Sequence, residues 1–328
     1  LWGASIAQAR SFTPVGATNG LEALVVPSIM LDRKGFLWVG SREGLFRYDG
    51  YKTRAFLPRS GDPDAISDID IRFIYEAVDG TIWVGTNTAG LERYDPATGK
   101  FRNFRHDSAD PASLIDDSIN AIAEGPAGLL WVATRKGLSR LERGTGSFDH
   151  VRHDPGSLTS LSNNWVSDLH LGESGRLWIS TIGGGVNRWN PDSQDFTHYD
   201  LADLTAGPPK RNHVRAIHED EDGILWAGTR EGLVRLNSLT GLAEYIDLGS
   251  SDGYLPDITA LNLDSTNRLW LTTMNQGLLI LDPENGEWRP ASLESQNAAG
   301  KLSRKALMSV SIGHDQVFVG TWGSGVYR

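Results

Sequence analysis

A short apolar segment with a central aromatic residue recurs seven times along the chain. These aromatic anchors lie 44 to 48 residues apart and are Trp38, Trp83, Trp131, Trp178, Trp226, Trp270 and Phe318. In each copy, aliphatic residues stand about twelve and nine positions before the anchor, and a second apolar segment, such as GLERYD at 90–95, follows it. With β-branched and aromatic residues, frequent turn residues and no helix-length amphipathic pattern, each repeat is predicted to form four short β-strands.

Turn and packing residues occupy matching places in the copies. Three positions before the anchor stand residues that tolerate the positive φ of a tight hairpin: Gly35, Gly80, Gly128, Gly175, Gly223, Asn267 and Asp315. Two positions after the anchor the residues are small, which predicts close packing against a neighbouring element: Gly40, Gly85, Ala133, Ser180, Gly228, Thr272 and Gly320. Repeats of this length with four strands are typical of propeller blades, whereas solenoid repeats are usually shorter.

We therefore predict an all-β fold, a single seven-bladed β-propeller of four-stranded antiparallel blades over residues 10–328. The last repeat, 306–328, stops inside its third strand, and residues 10–15 (RSFTPV) resemble outer-strand segments such as 147–151 (SFDHV). The N-terminal strand at 10–15 is expected to complete the last blade, which closes the ring and removes an exposed sheet edge. An open solenoid of stacked sheets is the structural alternative.

Composition narrows the classes of function. The 328 residues carry a formal net charge of −10 without a Lys/Arg cluster, which argues against nucleic acid binding because such binding depends on neutralising phosphates. The absence of cysteine excludes disulfides, thiolate metal sites and cysteine nucleophiles. The chain contains no run of eighteen apolar residues, so the sequence predicts no membrane-spanning helix. Residues 1–9 (LWGASIAQA) end in the small-x-small pattern of a signal peptidase site, which predicts the remnant of a signal peptide; ordinary loop sequence is the other interpretation.

No motif predicts a cofactor, a metal site or catalytic residues. The HExxH and calcium-loop spacings and the G-x-S-x-G elbow do not occur. His106 and His153 stand at matching places before Asp107 and Asp154, which indicates a structural role in their loops. An arginine recurs in the third strand of six repeats, and this regularity favours pairing with an acidic or carbonyl group of the adjacent blade over an anion site: Arg47, Arg93, Arg140, Arg188, Arg235 and Arg328.

The second repeat carries the fullest version of a known motif. It runs from TIWVGT at 81–86 through GLERYDPATGKF at 90–101 to RHD at 105–107 and PASL at 111–114. From about Phe12 onward, the chain resembles the two-component regulator propeller repeat family. The last repeats depart from the pattern, since Phe318 replaces the tryptophan and Ile280 replaces the recurrent arginine.

This resemblance implies the periplasmic sensor region of a bacterial inner-membrane signalling receptor. In that family, propellers usually occur in tandem and precede an immunoglobulin-like domain, a membrane helix and an output module such as a histidine kinase or a diguanylate cyclase.

Candidate binding residues are sought in the loops that surround the channel of a propeller, because a rigid scaffold commonly carries its binding residues on loops. Polar residues that differ between repeats are better candidates than the repeated framework. After the anchor strands these are Arg42, Asn87, Arg135, Arg230, Asn275 and Trp322, and at the starts of the inner strands Arg72, Asn120, Trp165, His213 and Arg215. Such side chains bind carboxylates, sugars and planar groups by forked hydrogen bonds, amide pairing and stacking. Solvated loop residues or inter-blade ion pairs are the alternative interpretation.

The leading hypothesis is a non-catalytic ligand-sensing module that binds a small molecule, a carbohydrate or an organic anion. Binding of the ligand is expected to shift a larger receptor between two states that differ in their affinity for the ligand. The expected partners are adjacent domains of the same receptor and a second copy of the chain in a homodimer. Because a fold does not decide function, a propeller enzyme, such as a lyase or a glycan-degrading enzyme, and a protein-interaction or dimerisation platform are the alternatives.

Overall fold

The chain forms seven antiparallel sheets arranged as the blades of a propeller. A computed structural model describes residues 12–15, 20–21, 24–125, 128–205, 212–251, 253–291, 306–313 and 316–328. Within these residues there are 27 strands, in six four-stranded sheets and one three-stranded sheet, and one four-residue helix, α1 (Leu201–Leu204). The predicted all-β fold of seven blades is therefore confirmed. The proposed signal-peptide remnant, 1–9, lies outside the described residues.

The strands of each blade follow one another in chain order, with the first strand innermost. Blade one contains β1 (Ser28–Leu31), β2 (Leu37–Gly40), β3 (Leu45–Tyr48) and β4 (Thr53–Phe56); blade two β5 (Ile71–Glu76), β6 (Ile82–Thr86), β7 (Leu91–Asp95) and β8 (Lys100–Phe104); blade three β9 (Ile119–Glu124), β10 (Leu130–Thr134), β11 (Gly137–Glu142) and β12 (Ser147–Val151); and blade four β13 (Val166–Leu171), β14 (Leu177–Thr181), β15 (Gly185–Asn190) and β16 (Asp195–Tyr199). Blade five contains β17 (Val214–Glu219), β18 (Ile224–Thr229), β19 (Gly232–Asn237) and β20 (Ala243–Ile246); blade six β21 (Ile258–Leu263), β22 (Leu269–Thr273), β23 (Leu278–Leu281) and β24 (Trp288–Pro290); and blade seven β25 (Leu307–Gly313), β26 (Gln316–Thr321) and β27 (Val326–Tyr327).

The N-terminal segment supplies the outer strand of blade seven, as predicted. Thr13 and Arg328 exchange two main-chain hydrogen bonds of 2.8 and 2.9 Å, and the Val15 amide donates to the Val326 carbonyl at 2.9 Å. Phe12 is buried in the apolar cluster between blades six and seven, where it joins Tyr327. The two distant parts of the chain are thus joined by both ladder hydrogen bonds and burial, and the outer edge of β27 is covered.

Blades one, two and five pack against the next blade through the glycine that follows the anchor by two positions. A Cβ atom added at Gly85 would lie 2.5 Å from Cγ2 of Ile119, on the inner strand of blade three. A Cβ atom added at Gly40 would lie 2.8 Å from Cγ2 of Ile71, and one added at Gly228 would lie 2.5 Å from Cγ2 of Ile258. These distances are too short for a side chain of any size, so the predicted close packing is confirmed and its partner is the next blade.

The aromatic anchors fill the space between the blades. All seven are at most 5% exposed, and they belong to seven apolar clusters, each of which joins two adjacent blades. In blades one, five and six, the buried indole N–H donates to an aspartate six positions earlier, at 2.8 Å in each case: Trp38 to Asp32, Trp226 to Asp220 and Trp270 to Asp264. The same aspartate accepts main-chain hydrogen bonds of the hairpin, so one carboxylate fixes both the turn and the anchor.

The hairpin residues before the anchors have the backbone conformation that the sequence predicts. The five glycines at this place have φ between 73° and 84°, and Asn267 has φ of 58°. Asp315 lies outside the described residues.

For two of the third-strand arginines, Arg47 and Arg140, the expected acidic or carbonyl partner in the adjacent blade is wrong. Arg47 stands opposite Trp38 in the β2–β3 ladder, and its guanidinium lies 5.6 Å from the centroid of that ring. Arg140 stands opposite Trp131 and pairs with Asp149, which is on the outer strand of the same blade. Both arginines therefore lie over the anchors of their own blades, and Arg140 also lies 5.4 Å from the ring centroid of Trp189 in blade four.

We predict that Gly85→Ala lowers the free energy of unfolding by about 1–3 kcal/mol, because the new methyl group overpacks the contact with Ile119. Gly144→Ala is the matched control, since a Cβ there meets nothing within 4 Å and no positive φ is required. It should change stability by less than about 0.5 kcal/mol. Urea unfolding of both variants measures the difference, and equal stabilities would contradict the tight inter-blade contact.

Candidate functional site

The inner strands of all seven blades surround a central cavity of about 820 Å³. Its wall includes Ser28 of β1, Arg72 of β5, Asn120 of β9 and His170 of β13, and it continues through β17, β21 and β25. The strands are antiparallel, so the loops after the anchor strands and the starts of the inner strands lie at the same end of the blades. All eleven sequence-predicted residues therefore lie at the same end of the blades.

A recurring hydroxyl group fixes the loops that follow the anchor strands. Three positions after each anchor, a serine or threonine donates to a glycine carbonyl at the far side of the turn, at 2.8–3.2 Å: Ser41, Thr86, Thr134, Thr181, Thr229, Thr273 and Thr321. The residue that follows this serine or threonine is therefore held in place by a rigid turn. Arg42, Asn87, Arg135, Arg230 and Trp322 occupy this position.

Six of the predicted residues line the cavity itself: Arg72, Asn120, Trp165, His213, Arg215 and Arg230. The other five, Arg42, Asn87, Arg135, Asn275 and Trp322, lie in the turns around them. Two pairs form by stacking across blade boundaries. The Arg42 guanidinium lies 4.7 Å from the ring centroid of Trp322, and that of Arg135 lies 5.6 Å from the ring centroid of Trp165. Both tryptophans stay accessible, at 47% and 46% exposure.

Two of the arginines approach a carboxylate. Arg215 Nη1 lies 3.0 Å from Oδ1 of Asp257, and the positive charge of Arg230 also attracts this carboxylate. Burial raises the pKa of Asp257, and the positive charges of Arg215 and Arg230 oppose this rise. On this side of the mouth, an ion pair and a nearby positive charge therefore compensate the carboxylate of Asp257.

The predicted amides bind the protein itself. Asn87 Nδ2 donates to Asp70 at 2.9 Å, and Asn275 Nδ2 donates to the Leu255 carbonyl at 2.8 Å. Asn120 Nδ2 donates to the Val166 carbonyl of blade four at 2.6 Å. Amide hydrogens of these three residues are thus used to hold neighbouring segments, and a role in ligand binding stays a prediction. The main chain of His213 forms a bridge with Ile182.

Sequence reasoning missed a histidine pair deeper in the channel. His170 and His218 line the cavity with ring centroids 4.5 Å apart, and His170 Nε2 is buried without a hydrogen-bond partner among the described residues. Burial lowers the pKa of His170 to about 4, and burial together with the charge of His170 lowers that of His218 to about 3. The signal was present in the sequence, because both residues stand eight positions before the anchors of successive repeats.

Asp168 lies beside this pair on β13. Burial raises the pKa of its carboxyl to about 7, although the amides of Ile217 and Leu169 donate to it at 3.0 and 2.9 Å. Within the described residues, no group of three His, Asp or Glu side chains is arranged to hold a metal ion. None of the helices described is long and apolar enough to cross a membrane.

These pKa shifts predict the response of stability to acid. Between pH 6.5 and about 4, the two imidazoles are neutral when folded and protonated when unfolded, so stability falls as the pH falls. Asp168 has the opposite effect on stability, because between pH 3.8 and about pH 7 its carboxyl is protonated only in the folded protein. We expect a net loss of stability from pH 6.5 to 4. Met30 stands eight positions before the anchor of blade one, as His218 does in blade five, so methionine is compatible with this position. The substitution His218→Met should therefore reduce the loss of stability by up to about 1.4 kcal/mol per pH unit.

Urea unfolding at a series of pH values measures both slopes. Asp168→Asn serves as the opposite control and should make the acid loss steeper. Equal slopes for the wild type and His218→Met would contradict the neutral state of the two half-buried histidines.

Comparison with known proteins places these features in a family context. Residues 113–136 and 209–231 match the model of the two component regulator propeller family. The first range covers the anchor strand of blade three and the second that of blade five. No curated protein matches the chain.

Solved structures with the same architecture include two extracellular domains from B. thetaiotaomicron. That of BT3049, a protein assigned to the hybrid two component systems, is 27% identical over 97% of this chain, with a TM-score of 0.80. That of BT4673, assigned to the same class, is 24% identical over 98% of the chain, with a TM-score of 0.75, and shows the fold alone. The chain spans about two fifths of both structures, 41% and 42% of their lengths.

A catalytically inactive variant of virginiamycin B lyase from Staphylococcus aureus, solved with quinupristin, is also similar in fold. It is 15% identical, with a TM-score of 0.73, and the match covers 97% of this chain and 98% of the lyase. Identity this low shows the fold alone. The chain is thus a seven-bladed propeller in which residues 113–136 and 209–231 match the two component regulator propeller model, and it resembles the extracellular domain of BT3049, a protein assigned to the hybrid two component systems.

Proposed function

We propose that the chain is a non-catalytic, ligand-sensing propeller domain in the periplasmic part of a bacterial transmembrane signalling receptor. The channel mouth carries this proposal, because six of the side chains that vary between repeats line one cavity. Its volume of about 820 Å³ lies in the range of small-molecule sites. The similarity to the extracellular domain of BT3049 supports the receptor context.

The geometry of the mouth supports a binding role for the exposed aromatic side chains. Trp165 and Trp322 come from blades four and seven, and each presents about half of its surface to solvent while an arginine covers one ring face. A ligand that stacks on these rings and reaches the arginines contacts several blades at once. Such a ligand removes water from aromatic surface, which is the usual source of affinity at a hot spot.

Signalling requires that the ligand distinguish two states of the receptor. The tight inter-blade contacts make the propeller frame rigid, so we place the change at the mouth, where exposed arginine and tryptophan side chains become ordered. In the proposed receptor, this face meets adjacent domains or a second copy of the chain. Occupancy then changes the surface available for that contact.

We expect a neutral or anionic small molecule from a panel of saccharides and organic acids to bind with one site per chain in isothermal titration. Trp165→Ala should weaken that binding about tenfold, corresponding to about 1.4 kcal/mol. Tyr51→Ala is the control, because Tyr51 is 86% exposed in the outer hairpin of blade one and away from the cavity lining. Equal affinities of the two variants would place the ligand elsewhere, and an inert complete extracytoplasmic region would contradict direct sensing.

A propeller enzyme is the second candidate, and the deep histidine pair favours it. His170 and His218 lie in the channel wall with ring centroids 4.5 Å apart, and histidine is the side chain that enzymes use most often for general acid–base catalysis. Turnover of a panel compound that is lost in His170→Ala would support an enzyme. Recovery of every bound compound unchanged after prolonged incubation would support the sensing function.

A further inference from the structure

Three arginines from successive blades form an arc along one side of the channel mouth. This arginine arc consists of Arg42 after β2, Arg72 at the start of β5 and Arg135 after β10. The Ile71 amide donates to the Ser41 carbonyl at 2.8 Å, so the main chains that carry Arg72 and Arg42 are directly joined. The Arg42 amide in turn donates to the Val25 carbonyl at 3.2 Å, and Val25 bridges to Trp322.

None of the three guanidinium groups of the arc forms an ion pair within the described part of the chain, whereas three other cationic side chains of this face do. Arg215 pairs with Asp257, Lys136 with Asp116 and Arg105 with Asp117. Among the described residues, no carboxylate oxygen lies within 4.0 Å of a guanidinium nitrogen of the arc. Asp70 attracts Arg72 from a greater distance, but its carboxylate accepts the amide hydrogen of Asn87.

The arc concentrates positive charge in a partly desolvated place on an acidic protein. The whole chain has a net charge of −10, whereas Arg72 faces two further arginines and only one acid. Burial lowers the pKa of Arg72, and the charges of Arg135 and Arg42 lower it further. Like charges that are held together in this way cost free energy, and an anion placed among them relieves that cost.

Two tryptophans flank the arc and lie against the guanidinium groups of its two outer arginines. Trp322 stacks with Arg42 and Trp165 with Arg135, at 4.7 and 5.6 Å. A stacked guanidinium keeps its N–H edges free for bidentate contact with a carboxylate or a sulfate. The three guanidinium groups belong to three successive blades, so a ligand that carries more than one anionic group can contact more than one of them.

We propose that the mouth selects an organic polyanion, a ligand with at least two carboxylate or sulfate groups that bind across Arg42, Arg72 and Arg135. This inference rests on the proposed ligand-sensing function and names the class of ligand. Acidic saccharides and polycarboxylic acids share this chemistry, and the two sources differ in the sugar rings available for stacking on Trp165 and Trp322.

The test uses three probes in isothermal titration at low ionic strength: digalacturonate, its neutral counterpart galactobiose, and citrate. We expect digalacturonate to bind the wild-type chain at least tenfold more tightly than galactobiose. Binding of citrate at a similar affinity assigns the selectivity to charge alone, and a much weaker binding of citrate assigns part of it to the sugar rings; both results support a polyanion site. Raising the salt concentration should weaken binding because it screens the charges.

Variants of the arc separate this inference from general electrostatics. Arg72→Gln and Arg135→Gln should each weaken binding of digalacturonate about tenfold or more, and Arg72→Lys should lie between Arg72→Gln and the wild type because it keeps the charge but loses the fork. Arg102→Gln is the matched control, since this exposed arginine on the outer strand β8 of the same blade makes the same change in net charge. Thermal unfolding of each variant establishes that it is folded.

Two results would overturn the polyanion site. The first is galactobiose bound as tightly as digalacturonate, with an affinity that Arg72→Gln leaves unchanged; the proposed sensing function would then stand with a neutral ligand. The second is digalacturonate and citrate both failing to bind the wild-type chain. The proposed function itself is contradicted separately, by an inert complete extracytoplasmic region.

Discussion

The contact of one aliphatic side chain with one small residue governs the spacing of the blades. Ile119 of blade three lies where a side chain of blade two would otherwise be, above Gly85, and Ile71 and Ile258 stand in the same relation to Gly40 and Gly228. The distance between adjacent blades sets how wide the central channel is and where its mouth residues stand. The anchors then fill the remaining space between the sheets, so burial of aromatic surface and the close backbone approach stabilise the same interface.

Polar groups of the inner strands complete this frame. Asn120, Ser167, Thr259 and Ser309 each donate to a main-chain carbonyl of the next blade, at 2.6 to 3.0 Å. These bonds satisfy carbonyl groups at the channel wall and link the blades beyond what apolar packing achieves. A consequence is that several polar residues of the channel serve the frame, which leaves the turns around the mouth as the place where side chains are free to vary.

The two sides of the mouth differ in electrostatic character. Around Asp257 the arginines are compensated by a carboxylate, whereas Arg42, Arg72 and Arg135 are stacked on tryptophans or placed against the channel wall. Deeper in the same channel, burial keeps His170 and His218 neutral. The cavity therefore offers charge at its rim and neutral imidazoles below. That gradient suits a ligand that is held at the rim rather than one that is drawn through the channel.

Much of the fold follows from periodicity in the sequence. The anchors, the hairpin glycines and the small residues repeat, and a repeated local pattern must satisfy the same packing in every blade, so the seven blades and their strands were predictable. The loop role of His106 and His153 also followed from repetition, since each imidazole meets a carbonyl eight residues later, at 2.7 Å. The partners of the recurrent arginines were not predictable, because the choice between a cross-strand ring and an adjacent blade depends on distances that a one-dimensional pattern does not contain.

The sequence by itself determined the architecture and the set of variable residues that encircle the mouth. Only the tertiary structure decided what those residues do there: it joined Arg42 to Trp322 across 280 positions of chain, gave Arg215 a carboxylate and left Arg72 among like charges. It also brought His170 and His218 together from separate repeats. The physical reason is that strand formation and blade packing depend on local residue types, whereas charge compensation and stacking depend on which distant side chains the closed ring places side by side.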